Sequence, residues 1–297
     1  MTQIISAVIV NYNAGALLHE CIESLLKCPL RIEIIVVDNA SSDGSLAALV
    51  DLPQVKIIRN IMNTGFSAGC NRGLASAHAD YLLFVNPDCR VDTHAIDELL
   101  QALKSDESVG MVGGLLMNPD GSEQGGGRRA IPTPWRSFVR AFELSRLANR
   151  WPRLFFDFYL HKQPLPRQPV EVEAISGACM LAKRRAIEDV GLWDEGYFLH
   201  CEDLDWCMRF RKKDWKILFV PSARIMHALG VCSRASPIFV EWHKHKGMMR
   251  FYRKFFRHQY PGVLMGLVTI GVWLRFGILA WYFSIKHVGR MLGAERG

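Results

Sequence analysis

Four short β-branched apolar runs, separated by polar clusters and helically spaced segments, organise the N-terminal part of the chain. Ile4–Val10 is the first run and ends at Asn11-Tyr12-Asn13, which reads as a buried strand feeding a polar loop. Leu17–Leu26 has helical spacing, and Ile32–Val37 is a second buried strand, stopped by the polar cluster Asp38–Ser45. The pattern then predicts a short helix over Leu46–Val50, a third strand over Val55–Arg59, a helix over Gly69–His78 and a fourth strand over Tyr81–Val85. That last strand stops at Asn86-Pro87-Asp88. Strands alternating with helices imply an α/β fold, with a mostly parallel central sheet covered by helices on both faces. The polar clusters fall just past the carboxyl ends of the strands, where such sheets bind ligands.

The pattern changes twice further along. Gly121–Gly127 is glycine-rich, and Pro132, Pro134, Pro164, Pro166 and Pro169 punctuate the stretch after it. Residues 124–169 read as a basic, partly helical insertion with its helix over Trp135–Arg150, and ordered structure is expected to return over Val170–Lys183. A catalytic body over residues 1–235 is expected, followed by a basic, apolar, helical C-terminal segment over 236–297 that anchors to membrane. Within that segment Gly262–Phe283 is apolar apart from Thr269 and Arg275. As a helix it would reach about 33 Å, enough to span a bilayer. Arg275 near its middle would cost about 2.5–3.5 kcal/mol there. Basic residues flank both ends, so residues 262–283 spanning the membrane and lying at its surface both stay open. A core helix packed on the catalytic body is the plainer alternative.

Charge sharpens this picture. The net charge of +7 is unevenly spread: residues 236–297 carry +8 and residues 124–169 carry +7, so the remainder is acidic. Because the basic segments also carry long apolar stretches, they point to an anionic membrane surface and away from nucleic acid. Hydrophobic residues make up 49% of the 297, which fits a large core or apolar surface meeting a membrane. Cys21, Cys28, Cys70, Cys89, Cys179, Cys201, Cys207 and Cys232 form no CxxC pair and read as scattered buried thiols. No basic stretch precedes an apolar one at the N-terminus, so no secretory signal is expected.

The chemistry-bearing residues are a strand-end carboxylate, Asp88, the distant cluster Glu202-Asp203-Leu204-Asp205, and His227 after the apolar stretch Ile217–Val220. Singly, each has a plain reading: an Asp capping a turn, a solvated helix-face Glu, a structural His. Together they supply what sugar transfer from a nucleoside diphosphate needs. A divalent ion must neutralise the leaving diphosphate, and a base must take the proton of the attacking hydroxyl.

Order and context favour the second reading. Val8–Asn13, Val36–Ser45, Asn63–Gly73, Phe84–Asp88, Ser176–Leu181, Trp193-Asp194-Glu195 and Glu202–Asp205 follow one another as in the family 2 glycosyltransferases. The chain resembles that family, of the GT-A nucleotide-diphospho-sugar transferase fold, and in particular its bacterial rhamnosyltransferase-like branch. The resemblance covers roughly residues 4–230 and is weakest in the basic insertion.

The resemblance implies roles residue by residue. Asp38 would read the nucleobase, Tyr12 would pack against it with Asn11 and Asn13 nearby, and Arg72 would face the base or the diphosphate. Asn86-Pro87-Asp88 stands where the family has an Asp-any-Asp metal motif, so Asp88 would ligate Mg²⁺ or Mn²⁺ and Asn86 would bind the donor. His227 would complete the metal site. Asp203 would be the general base with Glu202 beside it tuning it, while Asp205 is either a partner or a helix-start carboxylate.

Gly177 would let the backbone approach the donor sugar, although close strand packing explains it equally well. Gly65, Gly69 and Gly73 also read as turn and packing glycines. Trp193, Tyr197 and Phe198 could stack on sugars or pack in the core. The expected activity is inverting, metal-dependent transfer, with dTDP-L-rhamnose the favoured donor. The expected acceptor is a lipid-linked saccharide of surface-polysaccharide synthesis, at the cytoplasmic face of a bacterial inner membrane. A non-catalytic sugar-binding scaffold and a sugar nucleotidyltransferase are the alternatives. The second would need a glycine- and basic-rich phosphate loop after the first strand, which Asn11–Gly15 is not.

Overall fold

A computed structural model describes residues 4–49, 52, 54–228 and 236–294. The expected alternation is there. β1 (Ile4–Asn11), α1 (Ala16–Leu26), β2 (Arg31–Asp38), β3 (Val55–Arg59), α2 (Phe66–Leu74) and β4 (Tyr81–Val85) follow in order, with one 3₁₀ turn at Ala47–Leu49. These four strands pair in parallel as β3-β2-β1-β4. Their apolar runs are unbroken because both sheet faces are covered. In β1, Val8 and Val10 join the core on one face while Ile5, Ala7 and Ile9 join the core on the other. α2 begins at Phe66, ahead of the expected Gly69, and lies flush on β1. A Cβ on Gly73 would come within 2.3 Å of Val8 Cγ1, so the glycine permits the close approach.

The second half of the sheet is mixed. After β5 (Cys89–Val91) and α3 (Ala95–Lys104), β6 (Val109–Met117) enters, a strand whose glycines Gly110, Gly113 and Gly114 dilute its apolar signal in sequence. The insertion supplies β7 (Arg128–Arg129) and α4 (Pro134–Ala141), the latter capped by Thr133, whose hydroxyl accepts from the Arg136 N–H. The single helix expected over Trp135–Arg150 is broken: Glu143 turns left-handed (φ 53°), and a 3₁₀ stretch, Leu144–Asn149, follows. The return over residues 170–183 is β8 (Val170–Glu171), β9 (Ala174–Ile175) and β10 (Cys179–Lys183).

β10 runs antiparallel between β4 and β6, followed by α5 (Arg184–Val190) and α6 (Glu202–Lys212). The twelve-residue β11 (Lys216–His227) runs parallel to β6, then passes a register shift between Val220 and Arg224 to pair its end with β5. The full order is β3-β2-β1-β4-β10-β6-β11-β5, with β8 on β11, while β7 pairs with β9 apart from it.

Two helices close the chain, α7 (Pro237–Phe255) and α8 (Gly262–Ala294). The boundary expected after residue 235 falls at residues 229–235, outside the described set, as does Cys232. Beyond it α7 still feeds the main core through Met249, Phe251, Tyr252 and Phe255. Gly262–Lys286 is long and apolar enough to cross a bilayer, by length and composition. Six of the seven described cysteines are buried.

Asp205 anchors α6 and α7 together. It is fully buried and accepts from Arg209 Nε (2.7 Å), Tyr197 Oη (3.2 Å) and Lys254 Nζ (2.6 Å). It is thus a structural carboxylate. Asp205→Ala is expected to cost about 3–5 kcal/mol in denaturant unfolding, because it takes from Arg209 its carboxylate and from Lys254 one of its two at a buried site. A loss under about 1 kcal/mol would mean that Asp194, which also pairs with Lys254, holds α7 alone.

Candidate active site

Four strand ends and one helix start meet at the carboxyl edge of the parallel strands. β1 and β2 end in register, Asn11 beside Asp38. Asn11 Nδ2 donates to Asp38 Oδ1 (2.8 Å), and the Ser41 N–H donates to Asp38 Oδ2 (3.1 Å), so the buried carboxylate is held in one orientation. Tyr12 next to it is exposed at the rim. Asn13 adopts a left-handed backbone, donates its N–H to Ser41 Oγ and accepts from the Ser42 N–H through Oδ1. Its side chain therefore braces two loops and shapes the pocket indirectly.

Arg72 is exposed on α2 and lines a cavity of about 680 Å³ with Asn60, Asn63, Thr64, Glu195 and Phe198, a volume suited to a small-molecule ligand. The chain Asn39–Asn60–Thr64 joins this cavity to the Asp38 loop: Asn60 Nδ2 donates to Asn39 Oδ1 (2.6 Å) and lies near Thr64 Oγ1. Trp193 and Tyr197 are core residues, with Trp193 packed on Trp206 (centroids 4.0 Å), whereas Phe198 lines the cavity.

The metal candidates do come together. Asp88 precedes β5, and His227 sits opposite Cys89 at the end of β11, which brings His227 Nε2 to 3.2 Å from Asp88 Oδ1. Sequence reading missed the group that sets the histidine tautomer. Gln124 is buried, and its Nε2 donates to Asn118 Oδ1 (3.2 Å) and the His227 carbonyl (3.3 Å). That orientation leaves Gln124 Oε1 to accept from His227 Nδ1–H at 2.7 Å.

Nε2 then faces a carboxylate oxygen across 3.2 Å, where a ring proton or a divalent cation supplies the positive centre between them. Two ligands at right angles on an ion at about 2.1 Å would lie about 3 Å apart, so oxygen and imidazole nitrogen fit Mg²⁺ or Mn²⁺. The Cys89 thiol lies close by, but burial pushes it well above its usual range and it donates to the Ala178 carbonyl. It is no ligand for a hard ion. Asn86 is half-buried, with its backbone N–H on the Ala178 carbonyl (2.9 Å).

The carboxylate pair lies across the same segment. The Gly177 N–H donates to Asp203 Oδ2 (3.1 Å), and the Leu204 N–H to Asp203 Oδ1 (2.7 Å). Arg129, from the insertion, forms a short ion pair with the same carboxylate. The close partner of Gly177 is thus Asp203. Glu202 is buried, and its Oε2 has no hydrogen-bond partner among the described residues. Burial first, and the charge of Asp203 second, raise its carboxyl well above the usual range.

Burial thus favours the neutral Glu202 carboxyl, while Arg129 pairs with Asp203 beside it. His200 and Cys201 both have positive φ (68° and 70°) directly before α6, a turn that costs about 1–3 kcal/mol per residue and aims the carboxylates. α7 packs beneath the turn, where a Cβ on Gly247 would meet the His200 carbonyl at 2.7 Å.

The structure therefore brings together Asp88 with His227, and Asp203 with Glu202 and Gly177, while Arg72 borders a separate polar cavity that Asn60 and Thr64 join to the Asp38 loop. Gln124 and Arg129 could be found only through the insertion's proximity to the glycine-rich run, a signal that names no partner.

Comparison with known proteins places the chain. The model for glycosyl transferase family 2 matches residues 6–191, a span that includes Asp38, Arg72, Asp88 and Gly177. The chain is 30% identical over 240 residues to an N-acetylglucosaminyl-diphospho-decaprenol L-rhamnosyltransferase of Mycobacterium tuberculosis, covering 76% of each. It is 26% identical over 161 residues to the rhamnosyltransferase WbbL of Escherichia coli, covering 51% of this chain and 53% of that one. Among solved structures, a Pyrobaculum calidifontis mannosyltransferase in complex with GDP-Man and Mn²⁺ superposes with a TM-score of 0.57 at 14% identity, over 89% of this chain and 67% of that one. GalNAc-T7 with UDP, GalNAc and Mn²⁺ gives 0.56 at 19%, over 76% and 44%. Both support the GT-A fold.

Two measurements probe this geometry. Gln124→Met should lower Mn²⁺ affinity about 10–100-fold, measured with a nucleoside diphosphate present. Unchanged affinity would remove Gln124 from that role. Because the folded-state pKa of Glu202 stands above its unfolded value, its favourable contribution is full below the ordinary carboxylate range and is lost as pH rises. Glu202→Gln should therefore gain in Tm relative to the parent as pH climbs from about 5 to about 8. A flat difference would show that Glu202 ionises as readily folded as unfolded.

Proposed function

The chain belongs to glycosyl transferase family 2 and is a glycosyltransferase that uses a nucleotide sugar; we propose that it transfers L-rhamnose from dTDP-L-rhamnose to a hydroxyl of a lipid-linked saccharide, with inversion, at the cytoplasmic face of a bacterial inner membrane. The observation that carries this reading is the placement of an ion-ready pair, Asp88 and His227, and an oriented carboxylate, Asp203, on either side of the Ser176–Ala178 segment. The names of the mycobacterial and E. coli relatives support the sugar, and the first also supports a lipid diphosphate acceptor.

In this reading Asp38 accepts from the nucleobase and Tyr12 flanks it. Asn13 shapes the loop they share. Arg72 and Asn86 hold the diphosphate and ribose side. Asp88 and His227 would hold Mg²⁺ or Mn²⁺, and the bound ion would supply positive charge against the leaving diphosphate. Asp203 takes the proton from the acceptor hydroxyl as its oxygen attacks the anomeric carbon from the side opposite the leaving group. The backbone N–H groups of Gly177 and Leu204 keep that carboxylate aimed, and Arg129 pairs with it.

A membrane site for the acceptor is supported by α8 and by the insertion's surface. There Trp135, Phe142 and Trp151 are exposed among Arg146, Arg150 and Arg153.

A panel of nucleotide sugars with Mn²⁺, Mg²⁺ or EDTA, with and without a lipid-linked acceptor, tests the reading. Metal-dependent release of dTDP from dTDP-L-rhamnose is expected, and preference for another donor would overturn the sugar alone. Asp203→Asn should lower turnover by about 10²–10⁴ while sparing donor binding. Retained activity would move the base elsewhere.

A further inference from the structure

α8 carries an arginine in the middle of its apolar run, and the structure gives that arginine a protein partner. Arg275 Nη1 lies 3.1 Å from His245 Nε2 on α7. His245 Nδ1 lies 2.6 Å from the Glu241 carbonyl, which can only accept, so the proton sits on Nδ1 and Nε2 accepts from Arg275. The same seam is lined by rings: Trp242 contacts Trp273 (5.1 Å) and Phe276 (5.5 Å).

Contacts between residues 242–245 and 273–276 make α7 and α8 an antiparallel hairpin. About 22 Å of α8, from Gly262 to Phe276, therefore runs beside α7. α7 in turn is fixed to the catalytic body by Arg250 and Lys254 on Asp194, by Lys254 on Asp205, and by the burial of Met249, Phe251 and Tyr252.

The exposed side of α8 is equally ordered. Val263, Leu267, Ile270, Leu274, Ile278 and Trp281 recur at intervals of three or four residues, so they form one face, and each is more than half exposed. Met265, Val268, Val272 and Trp273 pack against the core from the other side. A helix spanning a hydrocarbon layer of about 30 Å would drag α7 into it, with exposed Lys246 and Arg253 and the domain bolted to α7. A helix lying in the interface presents one apolar stripe to the acyl chains, and α8 has that stripe along its length, with its opposite face covered over Met265–Phe276.

We propose that α8 lies in the plane of one leaflet of an anionic bilayer, with its apolar stripe in the acyl chains and Arg275 turned back onto His245, so that the chain is monotopic. This rests on the membrane-surface placement proposed for the acceptor. It also sets a depth. His243 and Gly247, which contact Phe198 and the His200 turn, lie about 150° around α7 from Trp242 and His245, at about 100° per residue. One helix diameter, about 10 Å, therefore separates the leaflet from the turn that carries Glu202 and Asp203. The acceptor's reacting sugar must stand about that far above its lipid.

The test uses the full-length chain reconstituted on vesicles of phosphatidylethanolamine and phosphatidylglycerol. Ser284→Cys marks the far end of α8, Gly262→Cys the near end and Glu188→Cys the catalytic body, each reacted with a membrane-impermeant maleimide and scored against the parent chain. The chain should float with the vesicles, and all three positions should react from the same side. Labelling of Ser284→Cys only from the side opposite Glu188→Cys would overturn the in-plane placement and leave the membrane reading standing. Failure of the full chain to float would overturn both. Lys286→Cys is the second reporter should Ser284→Cys fold poorly, and the same outcomes apply to it.

Discussion

Negative charge buried at one edge of a sheet has to be compensated residue by residue, and the architecture of this protein follows from how that is done. Asp38, Asp88, Glu202, Asp203 and Asp205 are all buried within or beside the candidate site. An unpaired carboxylate there would cost several kcal/mol. Asp38 is held by an amide and a backbone N–H, and Asp205 by an arginine and a lysine. Asp203 pairs with Arg129, and burial raises the Glu202 carboxyl well above its usual range. Asp88 faces Nε2 of His227, whose other ring nitrogen is held by Gln124, and a divalent cation fits between them.

Two of these solutions come from a single stretch of six residues. Gln124 orients His227 on the metal side, and Arg129 pairs with Asp203 on the acceptor side. The stretch is tied down between them: Arg128 pairs with Glu123 and stacks on Phe219, and the Gly127 carbonyl accepts from Ser176. The start of the insertion thus spans both halves of the site, and the basic, aromatic surface beyond it hangs from that anchor. Ser137 on α4 also accepts from the Tyr252 hydroxyl, which ties this surface to α7.

α7 is the mechanical layer of the molecule. One side supports the strained turn at His200 and Cys201, another side carries α8, and Arg250 and Lys254 reach Asp194 and Asp205. Strain before α6 persists because packing on α7 over-determines it. Movement of α8 at a membrane would be felt at Glu202 and Asp203 through one helix.

The sequence by itself determined the parallel half of the sheet, because β1 to β4 are continuous apolar runs that only a two-sided core explains. It also determined the family, through the order of its motifs, and it singled out Asp38, Asp88, Asp203 and His227 as candidates, three of which fall at or just past strand ends and one at a helix start. Tertiary structure decided the rest. β6 was hidden by its glycines, which read as breakers until Ile175, Phe210 and Ile225 are seen filling the space above them. Trp193 and Asp205 look available in a linear reading and are buried structural groups in space. Gln124, Arg129 and the His245 partner of Arg275 act across separations of 103, 74 and 30 residues. No local pattern encodes a pairing at that range, because a hydrogen bond depends on where two side chains end in space, and that is set only once the whole core has packed.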